Sequence, residues 1–236
     1  MLLDVGDGFG IDAPDGGLAA AGILTRTGPA ASVSMVVVAE RYARQGLGRQ
    51  VMRSAVEAAG DAVVSLYSTE TARPLYESLG FAADGGCDNY RGEFVDDGGV
   101  ASRRLGPADV ARVYEVDGAA QGFARKELLH RMLFEAERAH VTDGGYALGT
   151  QYGDTTVIGP VAAADEDQAR ALIRGLARDA GGVVRLAVDQ RFPGLASWCQ
   201  ARGLTKHSTA PRLVLHGKPL PGPAEMRFSP YNTALG

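Results

Sequence analysis

The same order of elements occurs twice in this chain, and the repeat restricts the fold more than any other feature. An apolar run is followed by a helical pattern, a second apolar run and a second helix, first from Val36 and again from Gly159. Strands that alternate with helices form parallel or mixed sheets covered by those helices. We therefore expect two copies of one α/β architecture. Residues 96–100 have the composition of a linker, which predicts domains at 1–97 and 98–236.

In the first copy, the turn-rich residues up to Gly17 predict a β-hairpin. They do not predict a calcium loop, because Asp4, Asp7, Asp12 and Asp15 are not at alternate positions and no glutamate closes the loop. The run at 32–39 is apolar and β-branched, which predicts a strand buried on both faces. The other predicted elements are strands at 18–26, 62–67 and 87–95 and helices at 46–59 and 70–79.

The second copy is predicted to begin with a strand and two helices that the first copy lacks. Its predicted strands are 101–105, 139–143, 146–151, 155–161, 183–189 and 211–216, and its predicted helices are 107–120, 125–138, 166–179 and 194–202. The last twenty residues carry four prolines. This composition predicts an extended tail that runs over the surface.

The junction between the strand at 32–39 and the next helix carries the clearest chemical signal. Gly46 and Gly48 let the backbone approach a ligand, and the first helical N–H groups are free to point at an anion. The helix dipole adds positive potential there, and Arg44 and Arg49 flank the loop and can pair with phosphates. The loop therefore suits a pyrophosphate, although a simple strand-to-helix turn has the same glycines. It matches neither the dinucleotide fingerprint nor a P-loop.

A second segment, Ala72-Arg-Pro-Leu-Tyr-Glu-Ser-Leu-Gly-Phe81, follows about thirty residues later. Together the two segments resemble the GNAT superfamily of acetyl-CoA-dependent N-acetyltransferases. That family has an acyl-CoA loop of the form Arg/Gln-x-x-Gly-x-Gly/Ala and a later helix with Ala-x-x-Leu/Phe-Tyr-x-x-x-Gly-Phe. Gly46 and Gly48 match the loop glycines, and Tyr76 matches the tyrosine. The resemblance covers about residues 17–95, and the second half resembles a divergent copy.

The resemblance implies two GNAT-like mixed-sheet α/β domains in tandem, the first without its initial strand and helices. It implies transfer of an acetyl group from acetyl-CoA to a primary amine, directly and in a ternary complex. Tyr76 would donate a proton to the departing thiolate, since a phenol titrates near 10 and a thiol near 8.5. The backbone of Val36, Val37 and Val38 would pair with the pantetheine arm. The CoA pyrophosphate would be bound by the N–H groups of Arg44, Gln45, Gly46, Leu47, Gly48 and Arg49.

The chain departs from the family pattern at several positions. Ala43 stands where the loop has Arg or Gln, and Thr69 stands where an Asn is frequent before the helix. The strand at 32–39 contains no glutamate to serve as general base, and Glu40 is expected to be a solvated loop residue. These departures keep open a non-catalytic acyl-CoA-binding or regulatory protein, or an enzyme that uses a longer acyl-CoA.

The second copy is expected to have lost the cofactor site. Its loop at 162–168 contains three acidic residues and no glycine, and acids there would repel a pyrophosphate. Cys199 stands at the tyrosine position. We expect this half to be structural or to bind the acceptor.

Composition excludes several other functions. The formal charge of -4 gives no basic surface for nucleic acid, and no apolar run reaches the roughly 20 residues of a membrane span. Two cysteines and four unclustered histidines predict neither a disulfide framework nor a metal site. No signal peptide is visible, so we expect a cytoplasmic protein. The expected acceptor is a small-molecule or peptide amine, and the incomplete first copy favours a homodimer or pairing with the second half.

Overall fold

The computed structural model describes residues 5–233, which form two compact units. Of these residues, unit 1 contains 5–84 and 211–220, and unit 2 contains 85–210 and 221–233. The units therefore do not follow the predicted domains 1–97 and 98–236. The physical reason is that two long strands, Phe81–Glu93 and Thr205–Leu215, each contribute one part to either unit.

Unit 1 is a mixed sheet with one long helix. Its elements are β1 (Asp7–Asp12), β2 (Leu18–Thr27), β3 (Ala30–Val38), α1 (Leu47–Ala59), β4 (Val63–Tyr67), α2 (Arg73–Glu77), the start of β5 (Phe81–Glu93) and the end of β11 (Thr205–Leu215). β1, β2 and β3 are antiparallel, β4 is parallel to β3, and residues 212–214 of β11 pair antiparallel with β4. The predicted hairpin is confirmed as β1–β2; Asp4 lies outside the described residues.

The helix α1 forms where its pattern predicts. Gly46 precedes it in a left-handed conformation, and Gly60 ends it. Its buried face presents Val51, Met52 and Ala55 to the sheet, where Met52 joins an apolar core with side chains from β2, β3, β4 and β11. The next helix is shorter than the predicted 70–79, and β5 begins six residues before the predicted strand.

The prediction that β3 is buried on both faces is wrong for its second half. Met35 is 49% exposed and Val37 is 54% exposed. β3 pairs with β4 only from Ala30 to Ser32, so the later residues lack a neighbouring strand on that edge within the described part of the chain. The pairing with β2 also shifts register near Met35, which adopts a positive φ of 52°. This β-bulge turns the strand away from regular pairing.

Unit 2 has the same plan with additional elements. They are the rest of β5, β6 (Arg103–Arg104), α3 (Val110–Gln121), α4 (Lys126–Glu135), β7 (Arg138–Thr142), β8 (Gly145–Tyr152), β9 (Thr155–Ala163), α5 (Glu166–Ala180), β10 (Val183–Asp189), α6 (Pro193–Ala201), the start of β11 and β12 (Arg227–Ser229). Its strand order is β11–β5–β10–β9–β8–β7–β6, and β9 and β10 are the parallel pair. Within the described residues, unit 1 has no counterpart of β6, α3 and α4. The predicted mixed α/β class is confirmed.

The prediction of a surface tail at the C-terminal end is wrong. Residues of β12 pair antiparallel with β9, and Phe228 is 1% exposed. Its ring stacks on Phe192 with centroids 4.1 Å apart. The four prolines lie outside β12, so the strand keeps its backbone N–H donors for pairing. Burial of the apolar Phe228 ring removes it from water and thereby stabilises the folded state.

The predicted linker is held by ion pairs. Asp97 accepts hydrogen bonds from Arg174 and Arg202, and Asp96 pairs with Arg178. No helix within residues 5–233 combines the length and apolar character that crossing a bilayer requires.

Candidate functional site

Side-chain contacts hold the loop after β3 against the turn of the β1–β2 hairpin. A short 3-10 turn, Glu40–Tyr42, begins the loop. Asp15 accepts a hydrogen bond of 2.8 Å from the Tyr42 hydroxyl and forms a 2.9 Å ion pair with Arg41. In the sequence, Asp15 stands out only as one of four aspartates whose spacing does not fit a calcium loop. Its anchoring role depends on a contact 26 residues away along the chain, which no local pattern reveals.

The loop ends with free backbone donors. Gly46 has a φ of 79°, and Gln50 N donates to its carbonyl oxygen at 3.1 Å. The N–H groups of Leu47, Gly48 and Arg49 precede this first helical bond, so they have no acceptor inside the helix. A Cβ placed on Gly46 would have nothing within 4 Å. The start of α1 therefore offers open space, N–H donors and the positive end of a helix dipole to an anion.

Gly48 allows three elements to meet. A Cβ at this position would lie 3.3 Å from Leu75 Cδ2 and 3.5 Å from Val38 Cγ2. The end of β3, the start of α1 and the helix α2 are thus in close contact around one glycine. Arg49 strengthens the junction by donating to Ser78 Oγ at 2.8 Å. The two sequence segments that suggested one site are brought together by the fold.

The two arginines of the loop differ in their surroundings. Arg49 is partly committed to Ser78, whereas Arg44 is exposed and its side chain has no hydrogen-bond or ion-pair partner among the described residues. Arg44 also adopts a positive φ of 63°. Ala43 and Gln45 are exposed beside it. Arg44 is therefore the cation of the loop that is free to meet a phosphate.

β3 and β4 stop pairing beside this loop, and the place where their pairing ends is called here the β3/β4 cleft. Pairing stops at Ser32 and Ser65, although β3 continues to Val38. The side chains of Val36 and Val38 point toward the α1 side, near Gly22 and Gly48. The main chain of Val36, Val37 and Val38 has no strand partner on the β4 side within residues 5–233. An extended ligand can pair with this edge as an added strand does.

Tyr76 lies on α2 in apolar surroundings. It is 7% exposed, and its ring makes an edge-on contact with Phe81 at 6.1 Å. Burial raises the pKa of the Tyr76 hydroxyl. The Tyr76 hydroxyl forms no hydrogen bond with another described residue. A protonated phenol without a protein partner can give its proton to a ligand atom.

The structure places two of the positions at which the chain departs from the family pattern. Thr69 Oγ1 accepts a hydrogen bond of 3.2 Å from the backbone N–H of Ala72, which precedes α2, and α2 itself has no side-chain cap. Glu40 is exposed, as predicted.

The corresponding positions of unit 2 differ in charge and exposure. Asp165 caps α5 by accepting a 2.8 Å bond from Gln168 N, which lowers the pKa of Asp165. Glu166 and Asp167 follow at once, so the helix start carries three carboxylates. Cys199 is fully buried, and burial raises the pKa of its thiol to about 12. The carboxylates disfavour an anion at this helix start, and the buried Cys199 thiol is not accessible to a ligand.

No group of three or more histidine, cysteine, aspartate or glutamate side chains within the described range is arranged to hold a metal ion.

Comparisons with known proteins match two successive segments of the chain. Family models described as acetyltransferase (GNAT) domain match residues 15–92 and 113–229. The uncharacterised N-acetyltransferase YitH of Bacillus subtilis (strain 168) is 26% identical over 231 residues, which covers 92% of this chain and 81% of that protein.

Solved structures show the same fold. A putative acetyltransferase from Pyrococcus horikoshii superposes with a TM-score of 0.78 at 17% identity, over 93% of this chain and 76% of its own. A tandem GNAT protein from the clavulanic acid biosynthesis pathway gives a TM-score of 0.60 at 14% identity, over 91% of this chain and 83% of its own.

Proposed function

Because this chain belongs to the GNAT acetyltransferase family, with two copies of the domain in tandem, we propose that unit 1 transfers an acetyl group from acetyl-CoA to a primary amine. The chain is an acyltransferase by family. The choice of acetyl-CoA, of an amine acceptor and of direct transfer is the proposal.

The divergence of β3 and β4 next to the start of α1 is the observation that carries the proposal. An acyl-CoA has a long arm with amide groups and a pyrophosphate. The unpaired edge of Val36, Val37 and Val38 suits the amides, because main-chain donors and acceptors alternate along it. The free N–H groups from Leu47 to Arg49 and the unpaired Arg44 suit the pyrophosphate. The open space beside Gly46 admits it.

Acetyl-CoA supplies an activated thioester, whose carbonyl carbon the amine attacks while the C–S bond breaks. Tyr76 gives its hydroxyl proton to the departing sulfur, and its raised pKa keeps that proton in place at neutral pH. The apolar contacts of the Tyr76 ring hold it in one orientation. The proton that the amine loses goes to water, since β3 holds no carboxylate and Glu40 is exposed beyond it. Water then returns a proton to the Tyr76 phenolate.

The acceptor is proposed to be a small-molecule or peptide amine. We place the reaction in the cytoplasm, where the buried thiols of Cys87 and Cys199, which form no disulfide, would stay reduced. A homodimer is also proposed, because Leu18, Met35 and Val37 of unit 1 are exposed apolar side chains.

Two measurements on the intact chain test the proposal. Calorimetric titration with acetyl-CoA is expected to show binding, whereas titration with the unacylated amines alone is expected to show none. Release of free thiol with a panel of primary amines is expected to depend on both acetyl-CoA and amine. The absence of heat with any CoA thioester would end the proposal. Binding without amine-dependent thiol release would instead identify a non-catalytic acyl-CoA-binding protein.

A further inference from the structure

The parallel strand pair of unit 2 diverges as the pair in unit 1 does. β9 and β10 pair from Thr155–Ile158 with Val183–Leu186, and no pairs follow, although β9 continues to Ala163 and β10 to Asp189. The gap that results is called here the β9/β10 cleft. It lies beside the start of α5, as the β3/β4 cleft lies beside the start of α1.

The chain itself fills the β9/β10 cleft. β12 pairs antiparallel with β9 through Arg227 opposite Ala162 and Ser229 opposite Val161, and it also contacts β10. The segment continues along β9 beyond these pairs. A Cβ on Gly159 would collide with the Pro230 carbonyl oxygen and would lie 2.8 Å from that of Tyr231. Only a glycine lets the two backbones approach so closely.

The segment is bound as part of the core. Phe228, Ser229 and Tyr231 are each less than 7% exposed. Phe228 stacks on Phe192 and belongs to the same apolar cluster as Leu195 and Cys199 of α6. Backbone pairing and an anchored aromatic ring are the two means by which a peptide is held when it adds to a sheet edge.

We propose that residues 227–231 are the resident ligand of the β9/β10 cleft. They occupy, within the same chain, the strand edge that corresponds to the one assigned to the acyl-CoA arm in unit 1, and this correspondence rests on the proposed function. A tethered segment competes at an effective concentration that can reach the millimolar range. The carboxylates of Asp165, Glu166 and Asp167 disfavour a pyrophosphate at the same place. The chain therefore binds one acyl-CoA, in unit 1.

Hydrogen–deuterium exchange of the intact chain, with and without acetyl-CoA, tests both ideas separately. The backbone amides of 227–231 and 159–162, other than the prolines at 160 and 230, which have no N–H, are expected to exchange slowly without ligand and to be unchanged by it. The amides of 36–49 are expected to slow when acetyl-CoA is added. Fast exchange of 227–231 in the free protein, or a change there with acetyl-CoA, would overturn the resident-ligand proposal. Unchanged exchange at 36–49 would overturn only the proposed function.

A matched pair of phenylalanine variants gives a second test. Phe228→Ala is expected to raise the exchange rate of 159–162 at least tenfold and to lower Tm by roughly 10 °C. Phe134→Ala removes the same side chain from a position in unit 2 that is 77% exposed, and it is expected to change neither. Equal behaviour of the two variants would contradict the anchoring role of Phe228.

Calorimetric stoichiometry remains informative even if Phe228→Ala does not fold. The intact chain is expected to bind one equivalent of acetyl-CoA, and Gly46→Asp is expected to bind that equivalent about 100-fold more weakly. Two equivalents in the intact chain, or a second equivalent in Gly46→Asp, would show that the β9/β10 cleft accepts the thioester.

Discussion

Placing a negative charge at Gly46 should weaken CoA binding without harming the fold. Gly46 precedes α1 with a φ of 79°, and a new Cβ would meet no atom within 4 Å. Aspartate and asparagine both tolerate this left-handed conformation and both cap helices well. Gly46→Asp and Gly46→Asn are therefore expected to fold, and they have nearly the same shape. They differ by one charge at the position proposed for the pyrophosphate.

The expected difference in CoA affinity between Gly46→Asp and Gly46→Asn follows from Coulomb's law. One unit charge at roughly 5 Å from a phosphate charge costs about 3 kcal/mol at an effective dielectric constant of about 20. That energy corresponds to a loss of about 100-fold in affinity. The measurement is calorimetric titration of both variants with CoA at low ionic strength, since salt would screen the repulsion. Circular dichroism and Tm verify that both are folded.

Equal dissociation constants for Gly46→Asp and Gly46→Asn would refute the reasoning, because the anion would then lie elsewhere. A loss of binding in both variants would show that space beside Gly46, rather than charge, decides binding.

Three further predictions concern single groups. Tyr76→Phe is expected to lower kcat by roughly 10²–10⁴ and to keep CoA affinity, whereas Tyr152→Phe, at an exposed site of unit 2, should change neither. Because burial raises the pKa of Tyr76, the acid is lost only as pH rises through a value above 10, so an alkaline limb of kcat with a midpoint below 9 would speak against it. Asp15→Asn should raise KM for acetyl-CoA up to about fivefold by releasing the loop, while Asp7→Asn, which removes another exposed ion pair of unit 1, should leave KM unchanged. Partial burial opposes the charge of Asp97, but hydrogen bonds from Gly99 N, Arg202 and Arg174 outweigh it and lower its pKa to about 2. Its stabilising contribution is complete above pH 4 and is lost as pH falls toward 2, so Tm of Asp97→Asn should depend less on pH in that range than Tm of the unaltered chain.

The local sequence was sufficient for most of the elements. The apolar period and the glycines at 46 and 60 predict α1 to within a residue, because both signals act within one helix. The strand at 183–189 was predicted with its observed bounds. The paired segments around Gly48 and Tyr76 indicated the family, since they combine backbone geometry with chemistry that a ligand requires.

The tertiary structure alone decided how these elements are used. The exposure of Val37 follows from the divergence of β3 and β4, and the burial of Phe228 follows from a gap between two strands more than thirty residues earlier. The tie between Asp15 and the loop likewise joins distant parts of the chain. Hydrophobic patterning and secondary-structure propensity are local properties of the sequence, so they do not indicate which strand edges remain unpaired. The sequence by itself therefore determined the elements and the kind of chemistry. Long-range strand pairing decided which cleft stays open for a ligand and which one the chain closes on itself.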